Sequence, residues 1–156
     1  MRLNGVTSFI LFLWTGTAIW AADPFAGSWR LNVEGSDFGN GPKATSGSAT
    51  YTQQLGGYQY ESETVFGKGS VARLAGPVKF DGTVYPGTLD GHAIVFTSKR
   101  IDSNDYDTLI VDPQTMKVTQ VFKYTVSPDK KILTISWIKG SPDKPIVYWV
   151  LVYEKK

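Results

Sequence analysis

The chain has 156 residues, a formal charge of +2, one histidine and no cysteine. The missing cysteine excludes disulfides, thiolate metal sites, a catalytic Cys and a lipid-modified Cys, and a lone histidine argues against zinc. The near-neutral charge argues against nucleic acid, which needs a concentrated basic face.

The first 21 residues read as a secretory signal peptide. Met1 and Arg2 form a short positive start, Val6 to Trp20 is an apolar run, and small Ala21 and Ala22 precede Asp23. Cleavage after Ala21 keeps the bulky Trp20 out of the −3 position. The rival reading is an uncleaved anchor, but the run is shorter than the roughly 20 residues a bilayer core needs. Residues 22–156 then form one domain, with a periplasmic or secreted location and no membrane span after signal cleavage.

Beyond Asp23 the pattern is period-two alternation, with little helical periodicity. The first strand spans 27–33, entered through Gly27-Ser28-Trp29, with Trp29, Leu31 and Val33 on one face. Glu34 to Gly47 is the longest link and reads as a flap over one end of the sheet. Tight breaks follow, among them Gly56-Gly57, Gly67-Lys68-Gly69, Asp81-Gly82 and Asp90-Gly91, which supply the positive φ of hairpin turns. Ten strands are expected, near 27–33, 48–55, 58–66, 70–80, 83–89, 92–101, 106–111, 115–126, 131–138 and 145–154.

Short links make neighbours in sequence neighbours in space. A long meander avoids exposed edges by closing, so the expected fold is all-β, an up-and-down antiparallel barrel. An even strand number lets the first and last strands pair antiparallel. An immunoglobulin-like sandwich is the structural rival. Inward phases are read for Tyr58, Tyr60, Ser62, Thr64 and Phe66, for Met116, Val118, Gln120, Phe122, Tyr124 and Val126, and for Ile94, Phe96, Ser98 and Arg100. Tyr51 and Leu55 are read on the face opposite Thr50, Thr52 and Gln54. The last strand, from Ile146 to Tyr153, is apolar on both faces, which predicts cover from the flap or a second copy of the chain.

Several segments resemble a group of small secreted bacterial lipocalin-like proteins of largely unassigned role, within the calycin superfamily. They are Asp23 to Asn32 with its Gly-x-Trp, Ser36-Asp37-Phe38, Gly41-Pro42, Tyr85-Pro86, Lys99 to Asp102 and Val152 to Lys155. The resemblance implies that Trp29 closes the barrel floor and that Lys155, the matching basic residue of the last strand, packs over it. The chain stops at Lys156, straight after the last strand. No lipocalin C-terminal helix is therefore expected, and the fatty-acid-binding-protein barrel is the nearer expected analogue.

The leading functional expectation is a carrier of a small apolar or amphipathic molecule, with no cofactor. Its binding residues would be Tyr51, Tyr60, Phe66, Phe96, Arg100, Gln120, Phe122 and Tyr124, with Arg100 offered to a ligand carboxylate. Against that, Arg100 at a strand end can simply reach solvent or Asp102. Gly27, Trp29, Tyr153 and Lys155 would close the barrel. The alternative is a protein–protein interaction module with a packed barrel and no ligand, and the last strand is a candidate homo-oligomer surface. His92 and the Asp102 to Asp107 turn read as solvated, not as haem or calcium ligands, since Tyr106 stands where a calcium loop needs an oxygen ligand. No nucleophile elbow or acid pair is visible, so no catalytic residue is assigned and the question of an enzyme is left open.

Overall fold

A computed structural model of the chain describes residues 23–141 and 144–156. The expected signal peptide, residues 1–21, lies outside the described residues. Ten antiparallel strands follow one another: β1 (Gly27–Asp37), β2 (Ala44–Gln54), β3 (Gly57–Phe66), β4 (Val71–Lys79), β5 (Tyr85–Leu89), β6 (His92–Arg100), β7 (Asp105–Val111), β8 (Val118–Val126), β9 (Ile132–Ser141) and β10 (Lys144–Lys155). Each pairs with its neighbour in sequence, and β10 returns to β1, so the sheet is a closed barrel. Closure satisfies the edge strands that an open meander would leave unpaired.

The closing seam is set by Trp29↔Lys155, Leu31↔Tyr153 and Asn32↔Val152. On the other side of β1, Gly27 pairs with Tyr51 and Trp29 with Ala49. Gly27 has φ +117, a conformation that favours glycine, and a Cβ there would sit 3.4 Å from Lys155 Cε. The Gly-x-Trp corner therefore needs its glycine for the turn, while the Lys155 stem would meet a Cβ only at ordinary contact distance.

Four local departures from the sequence reading have physical causes. The link expected over Glu34 to Gly47 is shorter, because β1 runs on to Asp37 and β2 begins at Ala44. An irregularity in the β1–β10 pairing between Asn32 and Asp37 bends β1. There Asn32 Oδ1 accepts from the Gly35 amide and Ser36 Oγ donates to Asn32 O, at 2.8 and 2.6 Å. Leu55 does not share the buried face of Tyr51, because β2 ends at Gln54 and Leu55 stands exposed in the turn; nor do Met116 and Val118 share the inward phase of Gln120. Met116 lies in a turn at φ +55, and the pairing shifts between Ile110↔Gln120 and Val111↔Val118, so both side chains face solvent. In β10 a bulge falls between Val147 and Trp149, so the run that is apolar on both faces is not a simple alternating strand.

A barrel of ten strands is wider than side chains fill easily. This one solves the problem unequally along its axis. The end holding Trp29 is plugged with aromatic rings. The opposite end, where the β1–β2 link and the β9–β10 hairpin lie, is not.

Candidate ligand cavity

Trp29 is fully buried, and its Nε1 donates to Phe25 O at 2.9 Å. Lys155 Nζ lies 4.9 Å from the centre of the Trp29 ring and 3.3 Å from Pro24 O. Burial, and then the nearby Lys130 ammonium, hold the Lys155 pKa below its ordinary value. Phe25, also fully buried, turns inward just before β1 and meets Tyr51 and Tyr106 with ring centres at 5.7 and 4.9 Å. Tyr106 in turn stacks on Tyr124 at 4.5 Å and meets Phe80 edge-on at 5.5 Å. The hydroxyls of Tyr51 and Tyr106 share a hydrogen bond of 2.8 Å. Burial is the main cause that pushes the phenols of Tyr51, Tyr60, Tyr106 and Tyr124 well above their ordinary value. Burial, with the Asp23 carboxylate next, takes Tyr58 to about 12.

Arg100 caps this plug from the closed end. Its guanidinium lies 4.1 Å from the Phe80 ring centre and 5.6 Å from that of Phe25. It donates to Tyr58 OH at 3.0 Å and to Ser103 O at 3.3 Å. The inward phase of β6 therefore runs from Ile94 toward the mouth down to Arg100 at the plugged end.

Above the plug is a cavity of about 400 Å³ that opens at the other end of the barrel. Tyr60, Tyr124 and Tyr153 form its floor. Its wall carries Phe122, Leu74, Ile135 and Leu151, and Phe66, Trp137, Tyr148 and Trp149 stand toward the mouth. Ser62, Thr64 and Gln120 are its neutral polar groups. Phe38 and Pro42, from the β1–β2 link, close over one side. That link is pressed onto β10: Gly39 has φ +54, and a Cβ on it would fall 2.3 Å from Tyr148 O.

Of the eight expected binding residues, the cavity brings together Tyr60, Phe66, Gln120, Phe122 and Tyr124. Tyr51 lies in the plug, Arg100 beneath it, and Phe96 against the β4–β5 seam, away from the cavity wall. That seam is short, with Leu74↔Leu89 and Ala75↔Thr88 as its pairs. The Phe96 ring lies across two glycines there; a Cβ on Gly76 or Gly87 would come within 2.6 or 2.4 Å of it. Of the closure residues, Gly27, Trp29, Tyr153 and Lys155 meet at the β1–β10 seam as described above.

Sequence reasoning missed Phe38, Trp137, Tyr148 and Trp149 as cavity residues. The doubly apolar run of β10 was the available signal for two of them. The bulge between Val147 and Trp149 is what lets the consecutive Tyr148 and Trp149 both border the cavity. Lys139 Nζ rests over the mouth at 4.6 Å from the Trp137 ring and 4.5 Å from that of Tyr148. His92 opens β6 and is exposed. Among the described residues no group of three His, Asp or Glu side chains is placed to hold a metal, and no helix is long and apolar enough to cross a membrane.

A closed, ten-stranded antiparallel meander with an internal cavity is the lipocalin and fatty-acid-binding-protein type of barrel. The chain is similar in structure to a Schistosoma mansoni fatty acid binding protein in complex with arachidonic acid. The TM-score is 0.56 at 18% identity, over 85% of this chain and 96% of that one. No family model matches the sequence, and no curated protein does.

Proposed function

We propose that this protein is an exported carrier that holds a small apolar or amphipathic molecule in the open half of its barrel. The observation that carries the reading is the half-filled interior. The close-packed aromatic plug stops at Tyr60 and Tyr124, and beyond it a cavity of about 400 Å³ walled mostly by apolar side chains remains. Small-molecule sites have this size and character, roughly 300–1,000 Å³ with a few placed polar groups. The arachidonic acid in the fatty acid binding protein of like fold supports the reading by analogy. Export rests on the signal-peptide pattern of residues 1–21, and kinship with secreted bacterial lipocalin-like proteins rests on the Gly-x-Trp and its companion segments.

The test is titration with the neutral lipophilic dye Nile red, followed by native mass spectrometry against chemically diverse lipophiles. Leu151→Trp, which places a large ring in the cavity wall, should weaken dye binding while melting close to the parent. Arg100→Ala, beneath the plug, should leave dye binding unchanged. A protein that binds no lipophile in either assay is not a carrier.

A second reading is favoured by one surface feature. Ile146 and Val147 are 63% and 58% exposed on β10 beside the mouth, an apolar strip suited to a second copy of the chain. Light scattering that finds a monomer at all concentrations would remove it.

A further inference from the structure

We propose that the cavity selects an uncharged lipophile, such as a long-chain alcohol or ester, over the carboxylate of the same chain. The inference rests on the cavity being a lipophile site, and concerns the charge that site accepts.

A buried carboxylate needs a fixed positive partner, and a guanidinium suits it best. Arg100 was the natural candidate on its phase in β6, but it stands on the far side of the plug. Tyr124 lies at the floor of the cavity, Tyr106 stacks on Tyr124, Phe80 meets Tyr106, and Arg100 lies beyond Phe80. Its guanidinium is held there by Tyr58 OH and Ser103 O. Arg73 borders the mouth, but its Nε and one terminal nitrogen both donate to Glu63 Oε2, at 2.9 and 2.8 Å. Lys139, at the rim, rests against the Trp137 and Tyr148 rings.

Among the described residues the polar groups of the floor and wall are neutral: the phenols of Tyr60, Tyr124 and Tyr153, the hydroxyls of Ser62 and Thr64, and the Gln120 amide. The Ser62 hydroxyl adjoins the Tyr60 phenol and the Thr64 hydroxyl adjoins that of Tyr153. An amide and hydroxyls can both donate to and accept from an alcohol or an ester carbonyl. They cannot neutralise an anion. The same surroundings push the floor phenols away from ionisation, mainly through burial, and they would treat a bound carboxylate the same way. Carrying an anion into this cavity strips its water and returns only neutral hydrogen bonds, which is costly.

The experiment is competition against Nile red with dodecanol, methyl dodecanoate and dodecanoate. At about pH 8, where a carboxylic acid is ionised, the two neutral compounds should displace the dye at concentrations about tenfold or more below dodecanoate. Toward about pH 4.5 the acid takes up its proton, so dodecanoate should gain on dodecanol while dodecanol itself changes little. Dodecanoate equal to or better than dodecanol at the higher pH overturns the inference, and means that an anionic head is held, either inside or at the Lys139 rim. Failure of the dye and of all three competitors to bind is a different result: it overturns the carrier reading itself, and the inference with it.

Discussion

Raising the pH should unfold this barrel abruptly, and the plug sets the size of the effect. Tyr51, Tyr60, Tyr106 and Tyr124 are all at least 96% buried, and burial is the leading cause that raises their phenol pKa values above the ordinary one. Below about pH 10 these phenols are neutral in both the folded and the unfolded chain, so they do not make stability depend on pH. Above it the unfolded chain releases its protons and the folded chain does not. Stability present below the unfolded value is therefore lost as pH rises toward the folded one. Each phenol held neutral costs about 1.4 kcal/mol per pH unit, so four together cost about 5 kcal/mol per unit. A domain has roughly 5–15 kcal/mol in total, so unfolding should be complete about one to three units above pH 10. The assay follows tyrosinate absorbance and circular dichroism in one titration. The four sealed phenols should ionise only as the barrel signal is lost, steeply and late. If more than half of the chain's eight tyrosines ionise while the barrel signal persists, the four phenols are not sealed in the plug and the reasoning fails.

Two substitutions probe the remaining parts of the frame. Trp29→Ala removes a fully buried ring, its hydrogen bond to Phe25 O and its contact with Lys155, and should cost about 3–5 kcal/mol in urea unfolding. An unchanged midpoint would mean that the β1–β10 seam does not depend on Trp29. Gly76→Ala drives a methyl to 2.6 Å from the Phe96 ring and should cost about 1–3 kcal/mol. Added to Phe96→Leu it should cost markedly less, and additive costs in that double-mutant cycle would show that the two do not meet.

The strand count and the meander were legible because the turns are marked. Asp90-Gly91 and Gly56-Gly57 carry the positive φ that short hairpins demand, and the structure has Asp90, Gly91 and Gly56 there. Alternation likewise identified which residues of β3 face inward. It could not say how deep a residue sits. Phe96 and Arg100 share a phase with Ile94, yet the strand carries that phase from near the mouth to the plug, so facing inward and facing the cavity are different properties. Tyr51 shows the same thing on β2. Register shifts were invisible for a related reason. The bulges near Ile110 and Val147 are made by hydrogen-bond pairing between strands, and a period-two pattern within one strand does not record its partner.

Phe25 shows what the division of the barrel requires. It precedes β1, where no strand periodicity assigns it a face, yet its ring closes contacts with Tyr51, Tyr58 and Tyr106. By filling the axis at the end where β1 and β10 pair, it lets one half of the domain act as a packed core. The other half is then free to stay hollow. At the mouth the β1–β2 link lies close against β10, with no room for a side chain at Gly39, and Phe38 is buried against the cavity.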